Sequence, residues 1–86
     1  MDPVTTSAGD TLEALTSVRL AASDGSARLV RIMAGASLAE IGRAIGSTKG
    51  TVSKWERGLA VPRGEAAVRY GAVLATLAGI TENGKR

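Results

Sequence analysis

Eighty-six residues with a formal net charge of +3 allow one small domain, because a chain this short buries only about 60% of the surface it exposes when unfolded. A hydrophobic fraction of 44% is that of a globular chain, but with no Phe, one Trp and one Tyr its core must rest on Leu, Ile, Val and Ala, which suits closely packed helices. The absence of Cys and His excludes disulfides, thiol nucleophiles, the usual zinc sites and the commonest general base. Ser and Thr have no neighbour to activate them, and no Asp/Glu pair stands at catalytic spacing. The chain therefore reads as a protein without enzymatic activity, metal or cofactor. Met1-Asp2-Pro3-Val4 lacks the basic-then-apolar pattern of a signal peptide, and the longest uncharged stretch, residues 70–81, falls short of the ~18 residues of a membrane span. A cytoplasmic protein with no membrane partner is expected.

In chain order, residues 1–9 are rich in Thr, Ser, Gly and Pro and read as disordered. Asp10-Thr11-Leu12-Glu13 reads as a helix start, with Asp10 as cap and Glu13 three residues on, reaching back to a free amide. Leu12, Leu15, Val18 and Ala22 then predict a helix over about 11–22. Asp24-Gly25 breaks it from a second helix at Ser26–Ala34, ended by Gly35, with one unbroken helix to Met33 as the alternative. Ala27, Val30, Arg31 and Ala34 share one face of the second helix, and Leu29, Ile32 and Met33 another, so the first helix is expected to cover Leu29 and Met33.

Ser37-Leu38-Ala39-Glu40 is a capping box for a third helix, with Leu38, Ile41 and Ile45 inward and Gly46 as its left-handed terminator. Thr48 caps a fourth helix over Lys49–Arg57, closed by Gly58. Val52 and Trp55 point inward, while Lys49, Gly50, Ser53, Lys54 and Arg57 cluster on the opposite face. After Leu59-Ala60-Val61-Pro62, a last helix over about Gly64–Ala78 turns Ala67, Tyr70, Gly71 and Leu74 inward. Gly79 is expected to stop it and residues 81–86 to fray. This divides the chain into a disordered segment 1–9, a folded domain 10–80 and a tail 81–86. Trp55 and Tyr70 read as core residues rather than base-stacking platforms.

Charge is unevenly spread. Residues 1–25 carry Arg19 against Asp2, Asp10, Glu13 and Asp24, whereas residues 26–69 carry eight Arg and Lys against Glu40, Glu56 and Glu65. An acidic leader thus precedes a basic middle, which fits a polyanionic partner. Residues 37–58 supply its shape: a short helix, a Gly-containing turn and a helix with an apolar inner and a basic outer face. That is a helix-turn-helix, whose second helix enters the DNA major groove. Gly42 permits close approach of the two helices, Gly46 the sharp turn, and the amides at the Thr48 cap favour a phosphate.

The run Gly46-Ser47-Thr48-Lys49-Gly50-Thr51-Val52-Ser53-Lys54-Trp55-Glu56-Arg57-Gly58 resembles the recognition segment of the Cro/repressor (XRE-type) helix-turn-helix family. Pro62, and upstream Arg31, Gly35, Ser37, Glu40 and Ile41, fall at matching offsets, so the resemblance covers about residues 26–75. It implies an all-α, five-helix, lambda-repressor-like domain, here with an extra N-terminal helix. Two positions depart from the family: Leu38 replaces a Gln that touches phosphate, and Gly50 replaces a common base reader.

The implied function is sequence-specific binding of double-stranded DNA at a pseudo-palindromic operator by a small Cro-like repressor of phage or bacterial type that occludes promoters. Lys49 and Lys54 are the expected base readers, with shorter contacts from Thr51 and Ser53. Thr48, Arg57 and Arg63 are expected at phosphates. Arg31 and Glu56 resemble the family's structural ion pair. Arg28, Arg43 and Arg69 read as solvated charges. A homodimer, formed in solution or on the DNA, is expected through Val68, Val73, Leu77 and Ile80 of the last helix, since this region pairs subunits in the family; Leu12, Leu15 and Leu20 of the first helix are the second candidate surface. The alternatives are an antitoxin or regulatory subunit that binds a protein partner through residues 10–25, or an excision or architectural factor in recombination.

Overall fold

Five helices and no strand are present among the described residues, 8–84, of the computed structural model; side chains are described for residues 11–81. The helices are α1 (Ala8–Asp24), α2 (Ser26–Met33), α3 (Leu38–Ala44), α4 (Lys49–Glu56) and α5 (Gly64–Gly84). The expected all-α, five-helix architecture is therefore the observed one. Of the segment 1–9 expected to be disordered and the tail 81–86 expected to fray, residues 8–9 and 81–84 are helical, and residues 1–7 and 85–86 lie outside the described residues.

The inner boundaries follow local chemistry. Gly25 adopts φ +91°, so α1 and α2 are separate helices rather than one. The Asp24 carboxylate accepts from both the Ser26 hydroxyl (2.7 Å) and the Ser26 N–H (2.8 Å), which fixes the turn. These two bonds favour the ionised carboxylate and hold its pKa below the ordinary value. At Ser37 both halves of the capping box form: the hydroxyl accepts from Glu40 N, and the Glu40 carboxylate accepts from Ser37 N at 2.8 Å.

The outer boundaries differ from the sequence expectation. α1 begins at Ala8, so Asp10 falls within its first turn and is not the N-cap. Near an N-terminus a carboxylate is favoured by the helix dipole as well as by capping, so composition alone does not tell the two positions apart. Gly79 does not stop α5, which runs on to Gly84. Glycine ends a helix where the backbone turns left-handed, and Gly79 has no positive φ. Inside a helix it merely costs about 1 kcal/mol relative to Ala.

α5 is the central post. Ala67, Tyr70 and Leu74 on its inner face meet Val18 and Ala22 of α1, Ala27 of α2, Ile41 and Ile45 of the α3 region, and Val52 and Trp55 of α4 in one core. Tyr70, Ile45 and Val52 are the largest fully buried side chains, and burial of the aliphatic Ile45 and Val52 is worth roughly 1.5–3 kcal/mol each. The Trp55 and Tyr70 rings pack with centroids 5.0 Å apart and planes inclined at 41°, so both are core residues as expected. α1 completes this core through Val18 and Ala22, packing on α5 and α2. It does not cover Leu29 and Met33, which remain 56% and 51% exposed. The second apolar face of α2, with Ile32, is thus open; α2 is short, and α1 and α5 together reach only its Ala27–Val30 side. Leu12 is also exposed, because the α1 contact begins at Leu15.

Candidate nucleic-acid interface

The pairing of α3 with α4 depends on the absence of a side chain at Gly42. A Cβ there would lie 2.7 Å from the Thr48 carbonyl carbon and 2.9 Å from Lys49 N, so only glycine lets the backbones meet this closely. Gly46, at φ +73°, then ends α3. Gly46 N–H donates to Arg43 O at 3.3 Å and Ser47 N–H to Gly42 O at 2.8 Å, the paired bonds of a Schellman turn. Two residues later Thr48 begins the next helix, its hydroxyl oxygen accepting from Thr51 N at 3.2 Å.

α4 sits with Val52 and Trp55 in the core and its opposite face in solvent. Lys49, Gly50, Lys54 and Arg57 are exposed there, and Thr51 and Ser53 are half-buried beside them. Thr48, before α4, and Arg63, in the α4–α5 loop, are exposed as well. The sequence-derived base and phosphate residues therefore lie along one helix and its flanks.

Hydrogen bonding pre-orients part of this set. The Thr48 hydroxyl donates to Thr51 Oγ1 at 3.2 Å, which leaves the Thr51 proton free to point outward. Arg57 Nε donates to Ser53 Oγ at 3.2 Å, a one-turn brace that leaves the terminal guanidinium nitrogens free for a phosphate. Leu38 packs partly against the core, as an apolar residue in that position should, and offers no polar group.

Behind the surface, Arg31 of α2 and Glu56 of α4 form a bidentate pair. Nε donates to Oε2 at 2.6 Å and Nη2 to Oε1 at 3.0 Å, with the side chains only 13% and 4% exposed. Arg31 Nη1 also donates to Ala36 O at 3.0 Å, so three of its five N–H groups are fixed. The bond to Glu56 raises the arginine pKa further, so the cation persists at any working pH. The geometry of the pair ties α4 to the body of the fold.

Sequence reasoning gave no role to Arg19. Its Nε donates to Pro62 O at 2.8 Å and anchors the α4–α5 loop to α1. No local pattern joins positions so distant in the chain; the one hint was a lone cation in an acidic leader. On α5, Val68 and Ile80 are exposed, whereas Val73 and Leu77 pack partly against the subunit's own core. Arg28 and Arg43 are exposed, and Arg69 pairs with Glu65 at 3.3 Å on the surface.

No metal-binding cluster occurs among the described residues, and no described helix is long and apolar enough to cross a membrane. No curated protein and no solved structure matches the chain significantly. The helix-turn-helix family model matches residues 28–76, more than half of the chain, from α2 through the middle of α5. The chain therefore belongs to the Cro/XRE-type helix-turn-helix family of DNA-binding transcriptional regulators, a family that is typically non-enzymatic.

Proposed function

We propose that this protein is a small Cro-like repressor that binds a pseudo-palindromic operator as a homodimer and occludes promoters. The observation that carries this reading is the exposed, cationic outer face of α4, held on a body that the Arg31–Glu56 pair keeps rigid. In this reading Lys49 and Lys54 donate to guanine O6 and N7 in the major groove. Thr51 and Ser53 add short hydroxyl contacts, while Arg57, Arg63 and the Thr48 end of α4 hold phosphates. Gly50 contributes no side chain, so direct readout per subunit is short. DNA shape and a second half-site then supply much of the specificity.

The antitoxin and partner-subunit readings require the N-terminal helix to serve as a free arm. Val18 and Ala22 of α1 are buried in the domain's own core, which favours the repressor. A gel-shift on the intergenic DNA beside the protein's own gene, run with and without its neighbouring gene products, tests the proposal. A discrete complex formed by the protein alone is expected, protecting two half-sites about 34–36 Å apart. A shift that needs a second protein would give the partner-subunit reading instead.

A further inference from the structure

The exposed large apolar side chains of α1 and the α4–α5 loop form a strip. Leu12 and Leu20, each 60% exposed, lie about two turns apart on the outer face of α1 with Thr16 between them. The shallow groove along these three residues runs into a second groove of about 330 Å³, which Thr16 and Leu20 share with Trp55, Val61 and Pro62. Val61, itself 54% exposed, and the neighbouring Leu59 at 65% extend the apolar surface along the loop. The bond from Arg19 to Pro62 holds loop and helix together, so the strip is one surface rather than two.

Charge gives the strip a direction. Glu13 lines its α1 end, and the loop at its other end is flanked by Arg57 and Arg63, all three exposed. Two such strips laid antiparallel set the acidic end of each against the basic end of the other while their leucines meet in the middle. A parallel arrangement would oppose like charges. A surface complementary to its own reversed copy is the requirement of a two-fold, isologous contact. The strip also adjoins the C-terminal end of α4, so an interface there is continuous with the nucleic-acid surface. α5 offers less: its outward Val68 and Ile80 stand about 18 Å apart along the helix, with Val73 and Leu77 partly packed against the subunit's own core.

We infer that the Leu12–Leu20–Val61 strip is the contact between two copies of this chain, with the two-fold axis near Leu20. The inference rests on the reading of the protein as a dimeric DNA binder, but its test does not need DNA. The chain has no cysteine, so Leu20→Cys introduces a single thiol, and at a two-fold axis it meets its own symmetry mate. Mild oxidation of the full chain is expected to give a covalent dimer from Leu20→Cys, and not from Ile80→Cys or Met33→Cys. In sedimentation equilibrium, Leu20→Glu and Val61→Glu should each weaken self-association about tenfold or more, because a charge is driven into an apolar contact. Ile32→Glu and Ile80→Glu should leave it unchanged. All four sites are exposed, so thermal melts should match the parent chain and exclude misfolding as the cause.

Cross-linking at Ile80 or Met33 in place of Leu20 would overturn the inference. So would self-association that Leu20→Glu leaves intact, or a parent chain that stays monomeric both free and on the intergenic fragment. A Leu20 cross-link in a protein that binds no duplex would uphold the interface while sinking the repressor reading, so the two failures are distinguishable.

Discussion

Lys49 and Lys54 differ from the other cations of the surface in lying within α4 rather than at its C-cap or in the following loop. That placement puts them at base edges if α4 occupies the major groove. Replacing either by Ala should cost about 1–3 kcal/mol on the operator and much less on random duplex. Arg63→Ala should weaken both alike, as loss of a phosphate contact does. Equal losses on both duplexes for the Lys variants would reassign them to phosphate, and fluorescence anisotropy on the two duplexes makes the comparison. The Arg31–Glu56 pair acts at the same scale but on stability. Removing one partner strands the other almost fully buried, at about 3 kcal/mol, whereas the double variant should cost less than the two single losses together. Strict additivity in thermal melts would mean that the pair is uncoupled. Tyr70 supplies a pH dependence. Its buried hydroxyl has no hydrogen-bond partner among the described residues, and burial, with a smaller contribution from Glu56, pushes its pKa up to about 12. The folded state thus favours the protonated phenol, so its contribution to stability is complete below the unfolded pKa of about 10 and is lost as pH rises toward 12. Tyr70→Phe should flatten the fall in melting temperature over that alkaline window without lowering stability at pH 7.

The elements show which parts of a fold are written locally. The capping box at Ser37, the Thr48 cap, the left-handed Gly46 and the breaks at Gly25 and Gly58 were legible because each depends on a few adjacent residues and one backbone rule. The inner faces of α4 and α5 were legible from spacing for the same reason. The open faces of α1 and α2 were not. Periodicity groups Leu29, Ile32 and Met33 on one side, yet says nothing about whether a neighbour reaches that side. On α5, spacing groups Val68, Val73, Leu77 and Ile80 together, yet Val73 and Leu77 pack partly against their own subunit's core while Val68 and Ile80 are exposed. Gly42 was read correctly as a close approach, but the distance that makes it obligatory comes only from the structure. Gly42→Ala should destabilise the domain by about 1–3 kcal/mol and weaken operator binding with it, since the clash is with the backbone that opens α4. Gly50→Ala is the matched control. Its Cβ meets only Thr48 Oγ1, at 3.8 Å, so helix propensity should raise stability by up to about 1 kcal/mol. Denaturant midpoints for the two variants should therefore move in opposite directions.

At the scale of the whole molecule, the decisive property is the separation of charge between an acidic leader and a basic helix-turn-helix. A net charge of only +3 would be a weak attractant if spread evenly. Concentrating Lys49, Lys54, Arg57 and Arg63 on and beside α4 instead focuses the positive field where the backbone of a duplex would lie. Each cation that neutralises a phosphate releases condensed counterions, so affinity must fall as salt rises, and the slope counts the phosphates engaged. If two subunits together neutralise about 6 phosphates, log K against log salt should fall with a slope of roughly −5. A chain bound as a single subunit should give about half that value. The dimer-weakening Leu20→Glu variant, which removes no cation from the DNA surface, should therefore shift the slope toward the single-subunit value at concentrations where it binds one half-site at a time. Arg63→Ala should reduce the slope of the parent dimer by about 2, one phosphate from each half-site. A response flat in salt would exclude the polyanion as partner, whatever the shape of α4.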